Sequence, residues 1–137
     1  MLVLLALLPL GSSVNIASMD LYDAVIDTES SGDPLARSAR GARGLMQITP
    51  PVLFDYNARM GTRYSEKDLD NPEVNSSIGK WYLGTEVPRL LKHFGVDDTL
   101  DNRLWAYNAG IGRVVKGQMP TETKDYIGKV RGRMGRR

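Results

Sequence analysis

The chain has 137 residues, 42% hydrophobic and 25% charged, with no cysteine and one histidine. That composition fits one ordinary globular domain and excludes two separate cores, general disorder, disulfide scaffolds, thiolate metal sites and cysteine nucleophiles. His93 alone cannot build a multi-histidine metal centre, and the net charge of +2 is uneven: residues 124–137 hold six Lys/Arg against Asp125, leaving the body about −3 and this stretch about +5.

Residues 1–10, MLVLLALLPL, are an apolar run. A bilayer-spanning helix needs about 20 such residues, so the run is too short for a standard crossing. Its length suits the hydrophobic region of a secretory signal, with Gly11, Ser12, Ser13 and Ala17 following. No Lys or Arg precedes it and no clean small-x-small site closes it, so a short membrane-associating segment and a buried first helix are the alternatives. Residues 1–13 are read as a signal or membrane-associating segment, 14–130 as the folded domain and 131–137 as a basic tail.

Asn15 to Thr28 predicts a helix, with Leu21, Ala24, Val25 and Thr28 on one face. The breakers Ser30-Ser31-Gly32-Asp33-Pro34 stop it. Gly41 to Gln47 predicts a turn leading into a short helix, and Pro50-Pro51 can open the next one. Asn71-Pro72-Glu73 reads as an N-cap followed by proline at the first helical position. Val74, Ile78, Trp81 and Tyr82 then keep a helical period, and Pro88 must kink or restart the helix before Leu90-Leu91. Two more helical patterns cover Asn102 to Tyr107 and Thr121 to Val130. No strict alternation is long enough for a strand. The predicted fold is mainly α.

The chemistry concentrates at Glu29, directly before the breaker cluster. The negative end of a helix dipole disfavours a carboxylate there, and cover by Leu45 and Met46 would raise its pKa further. A carboxyl protonated near neutral pH is what a general acid needs. From position alone, a solvated helix-end residue is the simpler explanation.

Four separated motifs change that balance. Glu29-Ser30 with Pro34, Ala36, Ser38, Gly41-Ala42 and Gly44-Leu45-Met46-Gln47 forms the first. Asn71-Pro72-Glu73-Val74-Asn75 with Gly79 and Tyr82-Leu83 is the second, Ala106-Tyr107-Asn108-Ala109-Gly110 the third, and Glu122-Thr123 with Tyr126 the fourth. In kind and order they resemble the soluble lytic transglycosylase family. The resemblance covers about residues 20–130 and makes 14–130 the catalytic domain. It implies a single, mainly α, lysozyme-like domain that cleaves the β-1,4 bond between N-acetylmuramic acid and N-acetylglucosamine in peptidoglycan.

By the same resemblance Glu29 is the catalytic acid and base, with the substrate's own C6 hydroxyl as nucleophile and a 1,6-anhydro product. Ser38 and Tyr126 are implied to hold the Glu29 carboxyl. Gln47, Tyr107 and Asn108 are implied to bind N-acetyl sugars, and Met46 to supply an apolar wall. Each also has a plain structural reading: Met46 as core, Asn108 as a turn former, Gln47 as a helix-end cap and the tyrosines as core aromatics. Trp81 and Trp105 read as core, His93 as surface. No metal and no cofactor is expected.

Three departures bear on substrate register: Gly32 where many members carry an aromatic, Ile111 in place of the usual proline, and Pro51-Val52 in place of a polar pair. The competing readings are a hydrolytic muramidase like goose-type lysozyme, with Asp33 or another carboxylate positioning a water, and a non-catalytic wall- or nucleic-acid-binding module. Nucleic acid is disfavoured by the acidic body. The basic tail is expected to touch anionic wall polymers or lipid, outside the cytoplasm. A monomer is expected, unless it is built into a larger machine or a virion. A small catalytic domain without wall-binding repeats suits a phage-encoded enzyme, and also the accessory transglycosylases of secretion or conjugation machines, which usually carry cysteines.

Overall fold

The computed structural model describes residues 19–135, so the segment 1–13 lies outside the described residues. Helix α1 is Leu21–Ser30; Asp20 caps it, its carboxylate accepting the Asp23 N–H at 2.8 Å, and the expected start at Asn15 lies outside the described residues. It ends where Ser31 and Gly32 enter the left-handed region, with φ of 53° and 77°. Glu29 is thus still helical, one residue from the end.

The Gly41–Gln47 stretch is not the expected short helix. Gly44 and Gln47 take φ of 78° and 51°, which breaks any helical run, and isolated antiparallel bridges tie Arg43 to Arg37 and to Ile48. No longer strand occurs among the described residues. Helix α2, Pro50–Met60, opens on its two prolines as expected. A short 3₁₀ turn, Glu66–Asp70, leads to α3, Pro72–Trp81, where Asn71 Oδ1 accepts from the Glu73 and Val74 N–H groups.

Pro88 stands in the first turn of a new α-helical segment, as a restart requires. A π-helical turn, Tyr82–Glu86, comes first, with the Val87 N–H reaching back to the Tyr82 carbonyl, and α4, Val87–His93, carries on. The wider register accommodates the N–H that Pro88 lacks. Gly84 lies inside that turn against the Tyr22 hydroxyl, which a Cβ would meet at 2.5 Å. Then come α5, Leu100–Ala109; α6, Ile111–Val115; and α7, Thr121–Arg133.

The main core gathers Val25 from α1, Ile78 from α3, Leu104 from α5 and Val130 from α7 around Met46 and Ile48. A smaller cluster of Val87, Leu91, Ala106 and Val114 joins α4, α5 and α6. Trp81 is buried, and His93 is exposed at the end of α4. The C-terminal stretch is less of a free tail than expected: α7 runs through Arg133, Arg131 pairs with Asp101 at 2.6 Å, Arg133 pairs with Asp27, and Met134 packs on the core.

One side chain locks the 43–46 loop to α3. Asn75 is fully buried; its Oδ1 accepts the Met46 N–H at 2.8 Å, and its Nδ2 donates to the carbonyls of Arg43 at 2.8 Å and Leu69 at 3.0 Å. Gly44 and Gly79 permit this approach, since a Cβ on either would run into Asn75 or Met46. Asn75→Ala leaves the Met46 N–H and the Leu69 carbonyl without this partner, the Arg43 carbonyl keeping the Ile48 N–H, and unsatisfied groups cost about 1–3 kcal/mol each. The expected loss of unfolding free energy is on the order of 4 kcal/mol, measured by urea denaturation.

Candidate active site

Three contiguous cavities form a groove across α1, the 31–49 loop, α5 and α7. The first, about 460 Å³, is lined by Thr28, Glu29, Asn108 and the α7 residues Glu122, Asp125, Tyr126 and Lys129. The second, about 320 Å³, shares Glu29, Asn108 and Glu122 and adds Ser38, Arg40, Gln47 and Tyr107. The third, about 310 Å³, continues past Tyr107 and Gln47 to Val52 and Tyr82.

Glu29 walls the first two cavities. Burial pushes its carboxyl up to about 7, with a smaller push from Glu122 and an opposing pull from the Tyr126 hydroxyl. That hydroxyl is buried and close enough to stabilise the carboxylate, yet it has no partner at full hydrogen-bonding geometry. Its O–H is therefore left to donate to the Glu29 carboxylate. Near neutral pH a substantial fraction of Glu29 is protonated, and the group can both give and take a proton.

The other expected residues fall in different places. Ser38 Oγ lines the Glu29 cavity and accepts the N–H groups of Ala42 at 3.0 Å and Arg40 at 3.3 Å, which leaves its own O–H to donate. Gln47 is not a helix cap. Its Nε2 donates to the carbonyls of Gly44 and Ala36, bracing the loop in its left-handed turn, and its Oε1 is left as an acceptor in the groove. Tyr107 donates to the Met46 carbonyl at 2.6 Å, which aims its ring along the groove wall. Asn108 lines all three cavities; its Oδ1 accepts from the buried Thr123 hydroxyl at 2.8 Å, which leaves the amide N–H groups as its remaining donors.

Met46 differs from expectation. It is fully buried against Gly79 and lines none of these cavities, so it supports the groove through its backbone and supplies no wall. Asp33 is also elsewhere: its carboxylate accepts the Leu35 N–H at 2.9 Å within its own turn and borders no cavity of the groove. What the sequence reading passed over is Glu122. The sequence marks it only as part of the fourth motif, but α7 docks against α1 and brings it into the cavity of Glu29. Thr123, its neighbour, fixes Asn108. Only the motif itself hinted at either.

A family model described as the transglycosylase SLT domain matches residues 14–127. The chain is 46% identical over 66 residues to the endo-type membrane-bound lytic murein transglycosylase A of Klebsiella pneumoniae, covering 46% of this chain and 32% of that protein. It is 32% identical over 96 residues to the membrane-bound lytic murein transglycosylase F 2 of Alkalilimnicola ehrlichii, covering 70% of this chain and 20% of that one. Among solved structures it resembles the 70-kDa soluble lytic transglycosylase of Escherichia coli, with a TM-score of 0.69 and 28% identity over 83% of this chain and 20% of the other. That enzyme has also been solved in complex with bulgecin A. The chain thus spans a third or less of the length of each of these relatives.

The electrostatics of Glu29 can be measured without any substrate. Its side-chain carboxyl carbon, followed by NMR, is expected to titrate with a midpoint of about 7. Tyr126→Phe removes a group that stabilises the carboxylate, so the midpoint should rise. A midpoint in the ordinary glutamate range would show that the carboxyl is solvated and the burial irrelevant.

Proposed function

The chain belongs to the transglycosylase SLT family, and from that membership we propose that it cleaves the β-1,4 bond between N-acetylmuramic acid and N-acetylglucosamine in peptidoglycan, without water. The observation that carries this reading is Glu29, a carboxyl on an open groove with its pKa pushed up to about 7. Glu29 protonates the glycosidic oxygen as the C1–O4 bond breaks. The muramoyl C6 hydroxyl attacks C1, and its proton passes to the Glu29 carboxylate, which restores the acid. One residue serves as acid and then base, and the product carries a 1,6-anhydro ring.

The neighbouring groups fit those two roles. Ser38 and Tyr126 have hydroxyls free to bond the carboxylate while it exists. The Asn108 amide, the Gln47 Oε1 and the Tyr107 ring offer the donors, acceptor and flat apolar surface that an N-acetyl sugar requires. The C6 hydroxyl is held near C1 by the sugar itself, at an effective concentration water cannot match.

Hydrolysis is the second reading, and one observation favours it: Glu122 and Asp125 share the first cavity with Glu29. Either could hold a water for attack. Both are exposed, and Glu122 faces Arg40 at 4.0 Å, so neither is set in the dry, fixed position a base for water needs.

The relatives named as membrane-bound murein transglycosylases support action outside the cytoplasm. Among the described residues no helix is long and apolar enough to cross a membrane. A basic C-terminal contact with anionic wall polymers belongs to the same reading, but it would rest on fewer free charges than the sequence counts, because Arg131 and Arg133 are ion-paired.

Digestion of purified peptidoglycan, borohydride reduction and mass analysis of the fragments test the reaction. The expected ends are 1,6-anhydromuramic, one water lighter and not reducible. Predominantly reducible ends would establish a muramidase, with Glu122 and Asp125 the first residues to mutate. Glu29→Gln keeps the shape without a transferable proton, so turnover should fall at least ~10²-fold.

The same variant should also be more stable at alkaline pH. Because burial raises the folded-state pKa from 4.5 to about 7, the stability of the protonated form is complete below 4.5 and is lost as the pH rises to about 7. At pH 8 the variant should unfold with a free energy higher by about 2 kcal/mol, and at pH 4 with nearly the same value as the parent. Chemical denaturation at the two pH values measures the difference.

A further inference from the structure

The turn that carries Gln47 is held from outside the groove. The Ala36 carbonyl takes three donors: the Gly44 N–H at 2.9 Å, Arg37 Nη1 at 3.2 Å and Gln47 Nε2 at 3.3 Å. Arg37 Nη1 also donates to the Leu35 carbonyl at 3.1 Å, so one guanidinium nitrogen grips two successive peptide groups. Gln47 itself stands at a φ of 51°, in the left-handed region, where a residue other than glycine persists only if its surroundings hold it. The orientation of the Ala36 carbonyl is part of what holds it.

Arg37 is held in turn by Asp70. Arg37 and Arg43 stand opposite each other in an antiparallel bridge, where two like charges repel. The Asp70 carboxylate, at the end of the 3₁₀ turn, pairs with both, meeting Arg37 Nη2 at 2.8 Å and Arg43 Nη2 at 3.2 Å. Arg43 Nε is buried without a hydrogen-bond partner, which leaves Asp70 as the acceptor of that guanidinium among the described residues. None of the three residues borders the cavities of the groove.

A half-exposed ion pair by itself adds little to stability. What sets Asp70 apart is the path it completes: carboxylate to guanidinium, guanidinium to the Ala36 carbonyl, and that carbonyl to the side-chain amide that lines the groove. We propose that Asp70 and Arg37 are positioning residues for Gln47, fixing from outside the groove the direction in which its Oε1 meets the N-acetyl sugar. This rests on the reading of the chain as a peptidoglycan transglycosylase, with Gln47 as a sugar-binding residue. Ser38 stands off the path, because its Oγ and its N–H find their partners within residues 38–42. The Glu29 end of the groove should therefore not respond.

Two measurements test it. The first is kinetic, on purified glycan strands. Arg37→Gln leaves the Asp70–Arg43 pair in place and removes the link to Ala36. It should raise KM roughly fivefold, as expected for one hydrogen bond to substrate, and leave kcat within about twofold. Asp70→Asn should do the same, and Asp70→Glu, which keeps the carboxylate, should recover most of the loss. Gln47→Asn tolerates the left-handed φ but shortens the amide, so it should raise KM by a similar factor. Adding Arg37→Gln to it should then cost less than about twofold more, because both changes act on one contact. Multiplied losses in the double variant, or a fall in kcat with KM unchanged, would overturn the proposal.

The second needs no substrate. The NMR resonances of the Gln47 side-chain amide, identified by their loss in Gln47→Asn, should move in Arg37→Gln and Asp70→Asn and return toward the wild-type position in Asp70→Glu. The Glu29 carboxyl midpoint should stay at about 7 in all three. Gln47 resonances that do not move would show that the turn holds itself, and the proposal fails whatever the kinetics. If the wild type cleaves no glycan while these resonances move as expected, the transglycosylase reading falls and the coupling of Asp70 to Gln47 stands.

Discussion

A single buried carboxamide holds the active region in shape. The 43–48 loop has no helix or sheet to satisfy its backbone, and its residues between Arg43 and Met46 pass through the core, where unsatisfied groups are costly. Asn75 answers for two of them at once, the Met46 N–H and the Arg43 carbonyl, and ties them to the Leu69 carbonyl, from a position fixed by α3. An amide side chain suits this task because it carries donors and an acceptor in one rigid plane. The two glycines in contact with the assembly, Gly44 and Gly79, are required for the same reason: any Cβ would occupy the space of Asn75 or Met46.

From that anchor a series of side-chain bonds reaches the reacting group. The Met46 carbonyl receives the Tyr107 hydroxyl, one residue before Asn108. Asn108 is held by Thr123, and three residues further along α7 Tyr126 faces Glu29. Segments far apart in the chain thus become one wall, and each link is a polar group that burial obliges to find a partner. The positive φ of Gln47 is part of this arrangement: a strained turn, braced by its own amide, sits at the point where the loop meets the groove.

The cost of the design is concentrated at Glu29. Burial of a carboxyl without a cation partner opposes ionisation, and Glu122 adds like charge, while only the Tyr126 hydroxyl favours the anion. A solvated glutamate would cost the fold nothing and would be a poor acid at neutral pH. The contrast with Glu86 is instructive. That carboxyl is also buried but carries an arginine, so it stays ionised and serves as half of an ion pair in place of proton transfer.

Much of this was legible in the chain. Proline at helix starts, Asn71 as a cap and the breaker cluster after Glu29 mark local conformation, because capping and φ restrictions act over a few residues. The mainly α class and the isolation of Glu29 at a helix end followed from them, and the four motifs carried the family. Other features were beyond local reading. The Gly41–Gln47 stretch looked like the start of a helix until two left-handed residues and an Asn75 contact from 29 positions away decided otherwise. Met46 looked like a wall for substrate, and it is core because Gly79 opens a space for it. The chain beyond Val130 looked like a free basic tail, but Asp27 and Asp101 draw it onto the body. Glu122 stood out only as part of a motif, and the docking of α7 on α1 makes it a neighbour of Glu29. Local stereochemistry is written in adjacent residues, and so the sequence determined the helices and the acid. Burial, and with it the raised pKa and the choice between wall and core, depends on which distant surfaces meet, and only the tertiary structure decided that.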